Sequence, residues 1–149
     1  LVNLHNSGRI NPKNVVLFGS RDVEEDEGKL IRMSGVREFP YDRIIKDGFK
    51  ESLDEALCYL STRSRYLHLS LDLDSMNPID VMGVSTPVPG GFKVNQVIDL
   101  IKKAVSMFEV TSIDLVEYNP LHDKGELTLD TMVMLVSILE KLLADRYSK

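Results

Sequence analysis

The segment of residues 66–74 constrains the fold of this chain more than any other, because apolar and polar residues alternate along it. Its odd positions are all leucine, from Leu67 to Leu73, and the positions between them are polar. Such period-two alternation predicts a β-strand. Residues two apart on a strand project from the same face, so we expect Asp72 and Asp74 to point into the same space.

Two carboxylates this close together repel each other, and each resists ionisation beside the other. A divalent cation, or a pair of them, removes that cost, and hard oxygen ligands suit Mg²⁺, Ca²⁺ or Mn²⁺. A polar, solvated strand end with two unconnected acids is the competing interpretation. The spacing of the two aspartates leaves both interpretations open.

Strand and helix patterns alternate along the whole chain, which predicts an α/β fold with a mainly parallel sheet. The predicted strands cover residues 14–18, 36–39, 66–74 and 110–116, and the longer predicted helices cover 25–33, 49–60, 94–107 and 127–147. In such sheets the functional crevice lies beyond the C-terminal ends of the strands. Asp72, Asp74 and Glu117 all lie at predicted strand ends, and Asp22 lies just past another. We therefore expect these acids to meet at one edge of the sheet.

Residues 75–92, which follow the central strand, contain three prolines and three glycines. This composition excludes a helix or a central strand. Compact domains rarely keep so long an irregular loop unless it has a function. We expect residues 75–92 to be a functional loop.

Composition narrows the class of protein. A chain of 149 residues suits one domain or a large part of one, and we propose no domain boundary. The formal net charge is −5, and no basic run indicates a nucleic-acid surface. No apolar run of transmembrane length and no signal peptide is visible, so we expect a cytoplasmic protein without a membrane partner. The single cysteine, Cys58, is predicted to be buried on an apolar helical face.

Three sequence blocks resemble the ureohydrolases, the family of arginase, agmatinase and formiminoglutamase. They are residues 70–78 (SLDLDSMNP), 83–91 (GVSTPVPGG) and 114–120 (DLVEYNP), and their order and spacing agree with the family. Residues 21–23 (RDV) are similar to the arginase branch in particular. The resemblance runs from about residue 14 to the end of the chain. It implies a three-layer, arginase-like α/β fold, of which this chain is the C-terminal portion.

The resemblance also implies manganese-dependent hydrolysis of a guanidino C–N bond, above all of L-arginine to L-ornithine and urea. Two Mn²⁺ ions activate water in this family, and Asp72 and Asp74 match metal ligands. Thr86 matches the threonine that lines the substrate site, and Glu117 matches the glutamate that holds the guanidinium. Glu24 falls where arginases carry acids that bind the α-amino end of the substrate, although the usual Asp-Pro-Gly is replaced here by Glu-Glu-Asp.

Family members also carry an Asp-x-His-x-Asp block, an upstream metal-binding histidine and a catalytic histidine in the first half of the fold. This chain has only His5, His68 and His122, and none lies in such a context. We therefore expect no catalytic residue within the chain and no full catalysis by the chain alone. The expected partners are an N-terminal half of the same fold, a small guanidino substrate and further copies, as a trimer or hexamer.

Other functions stay open. Agmatinase or formiminoglutamase activity, or a non-catalytic relative that binds little metal, would use the same residues. Haloacid-dehalogenase-type phosphatases also place Asp-x-Asp after an apolar strand, with the first aspartate as nucleophile. Those enzymes usually carry threonine four residues after that aspartate, and here the position is Met76.

Several residues near the blocks have a structural interpretation. We interpret His68 as a strand residue rather than a ligand. Asp114 is either a hydrogen-bond partner behind the site or a satisfied buried acid, and Asn119 with Pro120 is compatible with a simple strand end. The apolar stripe of the final helix is expected to be core, with an exposed part available to an oligomer interface.

Overall fold

The structure, a computed structural model, describes residues 10–148, so His5 and most of the predicted N-terminal lead-in lie outside the described residues. The chain divides into two compact units, the first ending at Ser64 and the second beginning at Arg65. Each unit contains a pair of parallel strands. The predicted α/β class with parallel strands is thus confirmed, whereas membership of both units in one domain stays a prediction.

The first unit has the order β1, α1, β2, α2, α3. These elements are β1 (Val16–Ser20), α1 (Glu25–Ser34), β2 (Arg37–Pro40), α2 (Tyr41–Asp47) and α3 (Phe49–Ser61). Acidic residues occupy the first turn of α1, where the helix dipole favours them, and Gly35 ends it at a φ of +83°. The core contains Phe39 and Ile44, both fully buried, and the Phe18 ring lies 5.9 Å from that of Phe39.

Cys58 is exposed, so the prediction of a buried thiol is wrong. The buried residues of α3 are Ser52, Leu53, Ala56 and Leu57. Each residue advances about 100° around a helix. Cys58, one step beyond Leu57, therefore lies past the edge of the buried stripe.

The second unit has the order β3, α4, β4, α5. These elements are β3 (Tyr66–Asp72), α4 (Val94–Met107), β4 (Glu109–Val116) and α5 (Leu127–Tyr147). β3 and β4 are parallel neighbours, and the register places Asp72 opposite Val116. Helix α4 connects the two strands and buries its apolar face, including Ile101 and Ala104. The C-terminal ends of both strands therefore lie side by side.

The loop of residues 75–92 is closed at its base. The N–H of Asn77 donates to the carbonyl of Phe92 at 2.9 Å, and the N–H of Phe92 donates to the carbonyl of Ser75 at 3.0 Å. Gly91 has a φ of +100°, and a Cβ there would lie 2.6 Å from the Met76 backbone. Only glycine allows this close approach without a shift of the backbone.

Helix α5 buries part of its apolar surface. Thr128, Leu135 and Leu139 are buried, whereas Val133 is 57% exposed and Met134 is 39% exposed. The apolar stripe thus has a buried part and an exposed part, because apolar residues occupy more than the one side of α5 that packs on α4. An oligomer interface at the exposed part stays a prediction. Neither α5 nor any other helix within residues 10–148 meets the requirements of a membrane span.

Two adjacent isoleucines of α2 provide a matched test of the first unit. Ile44 is fully buried, and Ile45 is 59% exposed. We predict that Ile44→Ala lowers the free energy of unfolding by about 2–5 kcal/mol, because it leaves a cavity. Ile45→Ala changes it by less than about 1 kcal/mol, since an exposed site can stay solvated. Urea denaturation of both variants checks this, and equal losses would contradict the described core.

Candidate functional site

Asp72 and Asp74 lie where β3 gives way to a single 3-10 turn, Leu73–Ser75. An Oδ1 atom of Asp72 accepts a hydrogen bond from the backbone N–H of Asp74 at 3.1 Å. Aspartate side chains often bind the backbone two residues on, and this bond competes with continuation of the strand. The strand therefore ends at Asp72, two residues earlier than predicted, and Asp74 belongs to the turn.

The carboxyl group of Asp72 is affected by burial and by two neighbouring acids. The pKa of Asp72 is raised from its ordinary 3.8 to about 6, first by burial and further by the charges of Asp74 and Glu117. The backbone N–H of Asp74 opposes this shift. Because like charges close together resist joint ionisation, a cation bound by Asp72 and Asp74 would relieve their repulsion.

Glu117 follows the last residue of β4 and has a φ of +67°. A non-glycine residue in this left-handed region costs on the order of 1 kcal/mol. A regular extended strand would direct its side chain to the face opposite that of Val116. The left-handed conformation of Glu117 departs from that strand geometry, and the charge of Glu117 contributes to the raised pKa of Asp72.

The segment before Thr86 is fastened to the segment after Glu117. The N–H of Asn119 donates to the carbonyl of Gly83 at 2.7 Å. The Asn119 side-chain amide donates to Ser85 Oγ at 3.2 Å. His122 Nδ1 lies 2.8 Å from the carbonyl oxygen of Val84. These bonds fix the backbone up to the residue preceding Thr86, whose own side chain is exposed.

A buried threonine at the start of α5 supports this fastening. Thr128 is fully buried, and its Oγ1 accepts the N–H of Gly83 at 2.8 Å. The Asp123 carboxylate accepts the backbone N–H groups of Thr128 and Leu129 at 3.0 and 2.9 Å. Burial opposes ionisation of Asp123, but these two donors, together with the Tyr118 hydroxyl and the Thr128 side chain, outweigh it and lower the pKa of Asp123. A Cβ at Gly83 would lie 2.7 Å from the Asp123 Cβ, so glycine is required there.

The predictions from sequence do not include the hydrogen bonds that Asn119, His122 and Thr128 make to the loop of residues 75–92. Asn119 was compatible with a simple strand end, and it instead binds two residues of the loop. The Glu-x-Asn-Pro block contained a signal for Asn119. Nothing in the sequence indicated His122 or Thr128, because their partners lie about 40 residues away along the chain.

Glu24 belongs to the first unit and directly precedes α1. Its side chain is exposed and makes no capping hydrogen bond to the helix. The acids that follow it are engaged elsewhere: Lys29 forms ion pairs with Glu25 at 3.0 Å and with Asp26 at 3.1 Å. A contact between Glu24 and the substrate stays a prediction.

The described residues contain no group of three or more His, Cys, Asp or Glu side chains arranged to hold a metal ion. Asp72 and Asp74 fit a hard cation by the chemistry of their oxygen atoms. Two carboxylates are fewer ligands than the six or so that such a cation takes. This chain can therefore provide part of a metal site.

Comparison with known proteins shows the family to which this chain is similar. The model of the Arginase family matches residues 2–143. The arginase of Bacillus caldovelox is 35% identical over 139 residues, which are 92% of this chain and 46% of the relative. The arginase of Bacillus subtilis is 39% identical over 140 residues, or 93% of this chain and 47% of the relative. The chain thus spans about half the length of these relatives.

Solved structures agree with the sequence comparison. The native Bacillus caldovelox arginase matches with a TM-score of 0.82 at 35% identity, covering 87% of this chain and 44% of that chain. The formimidoylglutamase of Bacillus subtilis has a TM-score of 0.89 at 17% identity, covering 95% of this chain and 45% of that chain, which shows a shared fold. The fold is arginase-like, as predicted. The chain belongs to the arginase family and corresponds to the C-terminal half of its fold.

The raised pKa of Asp72 has a consequence for stability without divalent cations. Stability that the protonated carboxyl contributes is present below pH 3.8 and is lost as the pH rises through about 6. We predict that Asp72→Asn is more stable than the unmodified chain at pH 7.5. Because solvent screens this partly exposed group, the difference is on the order of 1 kcal/mol, and it vanishes near pH 3.5.

Urea denaturation in EDTA at both pH values measures this difference. Glu140→Gln, which neutralises an exposed acid of α5, is the matched control and is expected to change stability by less than about 0.5 kcal/mol at either pH. A destabilised Asp72→Asn variant at pH 7.5 would show that the carboxylate is satisfied rather than repelled.

Proposed function

We propose that this chain supplies part of the active site of an arginase-type hydrolase, which uses manganese to convert L-arginine to L-ornithine and urea. One observation carries the proposal. In a chain of the arginase family, Asp72 and Glu117 lie at the adjacent ends of two parallel strands, and the charge of Glu117 contributes to the raised pKa of Asp72. An acid that binds the metal and an acid that binds the cationic substrate must lie close together, because the reacting carbon of the substrate has to be near both of them.

Asp72 and Asp74 are the proposed manganese ligands in this chain. Their mutual repulsion, which helps to raise the pKa of Asp72, is relieved when a divalent cation lies between them. A bound pair of manganese ions supplies a water molecule of lowered pKa, oriented for attack. The remaining ligands and the catalytic histidine are assigned to the N-terminal half of the fold, since the described residues hold no larger donor cluster.

Glu117 is the proposed partner of the substrate guanidinium. A carboxylate accepts two parallel N–H bonds from this planar cation, which fixes both its position and its orientation. The left-handed conformation of Glu117 and the effect of its charge on the pKa of Asp72 support this role. Thr86 is proposed to line the same site with its hydroxyl, which lies on the loop held by Asn119 and His122.

The choice between L-arginine and agmatine depends on the α-carboxylate, which agmatine lacks. Both compounds carry the amino group that Glu24 is proposed to bind. That contact supports a substrate with an amino group at this end and does not by itself separate the two. Agmatine is the second candidate, because Glu24 lies in a Glu-Glu-Asp segment that departs from the arginase pattern.

Urea release decides the proposal. We predict that the native protein with Mn²⁺ releases urea from L-arginine faster than from agmatine, and that the 149-residue chain alone releases none. The reverse preference would assign the chain to the agmatinase branch. Turnover of neither compound, together with manganese content that Asp72→Ala does not lower, would make it a non-catalytic relative.

Glu117→Gln tests the substrate contact separately from the metal. We predict that it lowers kcat/KM for L-arginine about 10- to 100-fold, because an amide cannot accept two charge-assisted bonds. Manganese content is expected to stay unchanged. Glu140→Gln is again the control for loss of one negative charge, and steady-state kinetics with metal analysis measures both. A retained kcat/KM in Glu117→Gln would remove Glu117 from the site.

A further inference from the structure

His68 contacts two polar side chains of β4, Ser112 and Asp114, on the exposed face of the β3–β4 pair. All three precede Asp72 and Glu117 along their strands. His68 Nδ1 lies 2.7 Å from Ser112 Oγ, and His68 Nε2 lies 3.3 Å from Asp114 Oδ2. Ser112 and Asp114 are two residues apart on β4, so both project from the same face. His68 faces them from β3. This contact, here called the His68 clamp, joins the two strands through side chains in addition to the backbone.

A β-bulge lies directly beside the His68 clamp. Leu67 lies opposite Val110, whereas the next residue, His68, lies opposite Ser112, so Thr111 is the extra residue. The Thr111 hydroxyl donates to the carbonyl oxygen of Leu67 at 3.2 Å. One extra residue shifts every later pair of the two strands by one position.

The register beyond the bulge decides which residue of β4 reaches the acids. With the bulge, Asp72 lies opposite Val116, and Glu117 follows at once. Without it, Asp72 would lie opposite Leu115. Glu117 would then lie about 3.3 Å further along the strand, and every later side chain of β4 would change face. The distance between Asp72 and Glu117 therefore depends on this register.

Side-chain contacts distinguish the two registers. In the register without the bulge, Ser112 would lie opposite Leu69 and Asp114 opposite Leu71. Both polar groups would then face the apolar side of the sheet and would lose His68. A buried polar group without a partner costs about 1–3 kcal/mol. The His68 clamp thus favours the bulged register.

A serine, a histidine and an aspartate in contact are also the parts of a nucleophilic hydrolase site. In such sites the serine lies beside backbone N–H groups that are free to bind an oxyanion. Ser112 instead lies in the middle of β4, within the segment paired with β3, and not at a turn between a strand and a helix. The geometry fits a structural contact between strands and does not fit acyl transfer.

We propose that His68 is a positioning residue, which selects the bulged register through Ser112 and Asp114 and thereby holds Glu117 beside Asp72. His68 acts through these other residues. The effect on register is independent of the reaction. Its effect on substrate binding rests on the proposed function.

NMR of the 149-residue chain tests the register, because amide–Hα contacts between strands report which residues are opposite. His68→Val removes both side-chain contacts and introduces a residue that favours strands. His68→Gln keeps one donor and one acceptor in the side chain. We expect His68→Gln to retain the Asp72–Val116 contacts and His68→Val to lose at least half of their intensity. If strand propensity alone set the register, valine would retain it as well as glutamine does.

Kinetics of the native protein with Mn²⁺ tests the consequence at the site. We expect KM for the guanidino substrate to rise about tenfold in His68→Val and to stay near the unmodified value in His68→Gln. Manganese content is expected to be the same in both. A role in stability alone would reduce the amount of folded protein and leave KM unchanged. If the unmodified protein hydrolyses no guanidino compound, the proposed function fails, and the NMR measurement still decides the proposal.

If His68→Val does not fold, the variants Ser112→Ala and Asp114→Ala take its place in both measurements, because each removes one of the two contacts of His68. Unchanged strand contacts and unchanged KM in these variants, or in His68→Val, would overturn the proposal. Covalent labelling of Ser112 by an organophosphonate, lost in His68→Gln, would also overturn it, because Ser112 would then be a nucleophile.

Discussion

The parallel pairing of β3 with β4 is the constraint on which the rest of the second unit depends. Asp72 and Glu117 come together because two parallel strands end side by side, and Asp74 joins them through a turn. Two local departures from regular strand geometry occur here, the Asp72 side-chain bond to the backbone and the left-handed Glu117. Such departures persist where the surrounding structure holds them, and they are common at functional sites.

The surrounding structure is a set of bonds that link the loop after β3 to the segment after β4. Thr128 binds Gly83, and Asp123 binds the start of α5, so a helix of the core is connected to the loop that carries Thr86. The bond between Thr128 and Gly83 is buried, and the bond from the Thr128 N–H to Asp123 is partly buried. The site therefore depends on the packing of α5 as well as on the strands.

The parts of the fold that follow from periodicity could be predicted from sequence. The bounds of α4 and α5 agree with the prediction, because long amphipathic or apolar runs with clear ends dominate local structure. The early end of β3 could not be predicted, because a side chain competes with the backbone of the strand there. The exposure of Cys58 and Val133 depends on which side of a helix has a neighbour, and sequence pattern does not contain that information.

The same division holds at the candidate site. Strand ends and the family resemblance predicted that Asp72, Asp74 and Glu117 would meet, whereas their roles stay predictions. The bulge has a sequence signal, since two polar residues, Thr111 and Ser112, interrupt the alternation of β4. The contacts of His122 and Thr128 have none, because bonds between distant segments depend on the completed fold.

The closure of the 75–92 loop has an evolutionary consequence. Its base is fixed at Met76 and Phe92, and its middle is fixed at Gly83 and Val84. Two short arcs therefore lie between fixed points, residues 77–82 and 85–91, and Ile79 at the tip of the first is 87% exposed. Exposed positions within one arc, such as Ile79, can therefore change without displacing the other arc, whereas buried Val81 and Gly91 hold the scaffold.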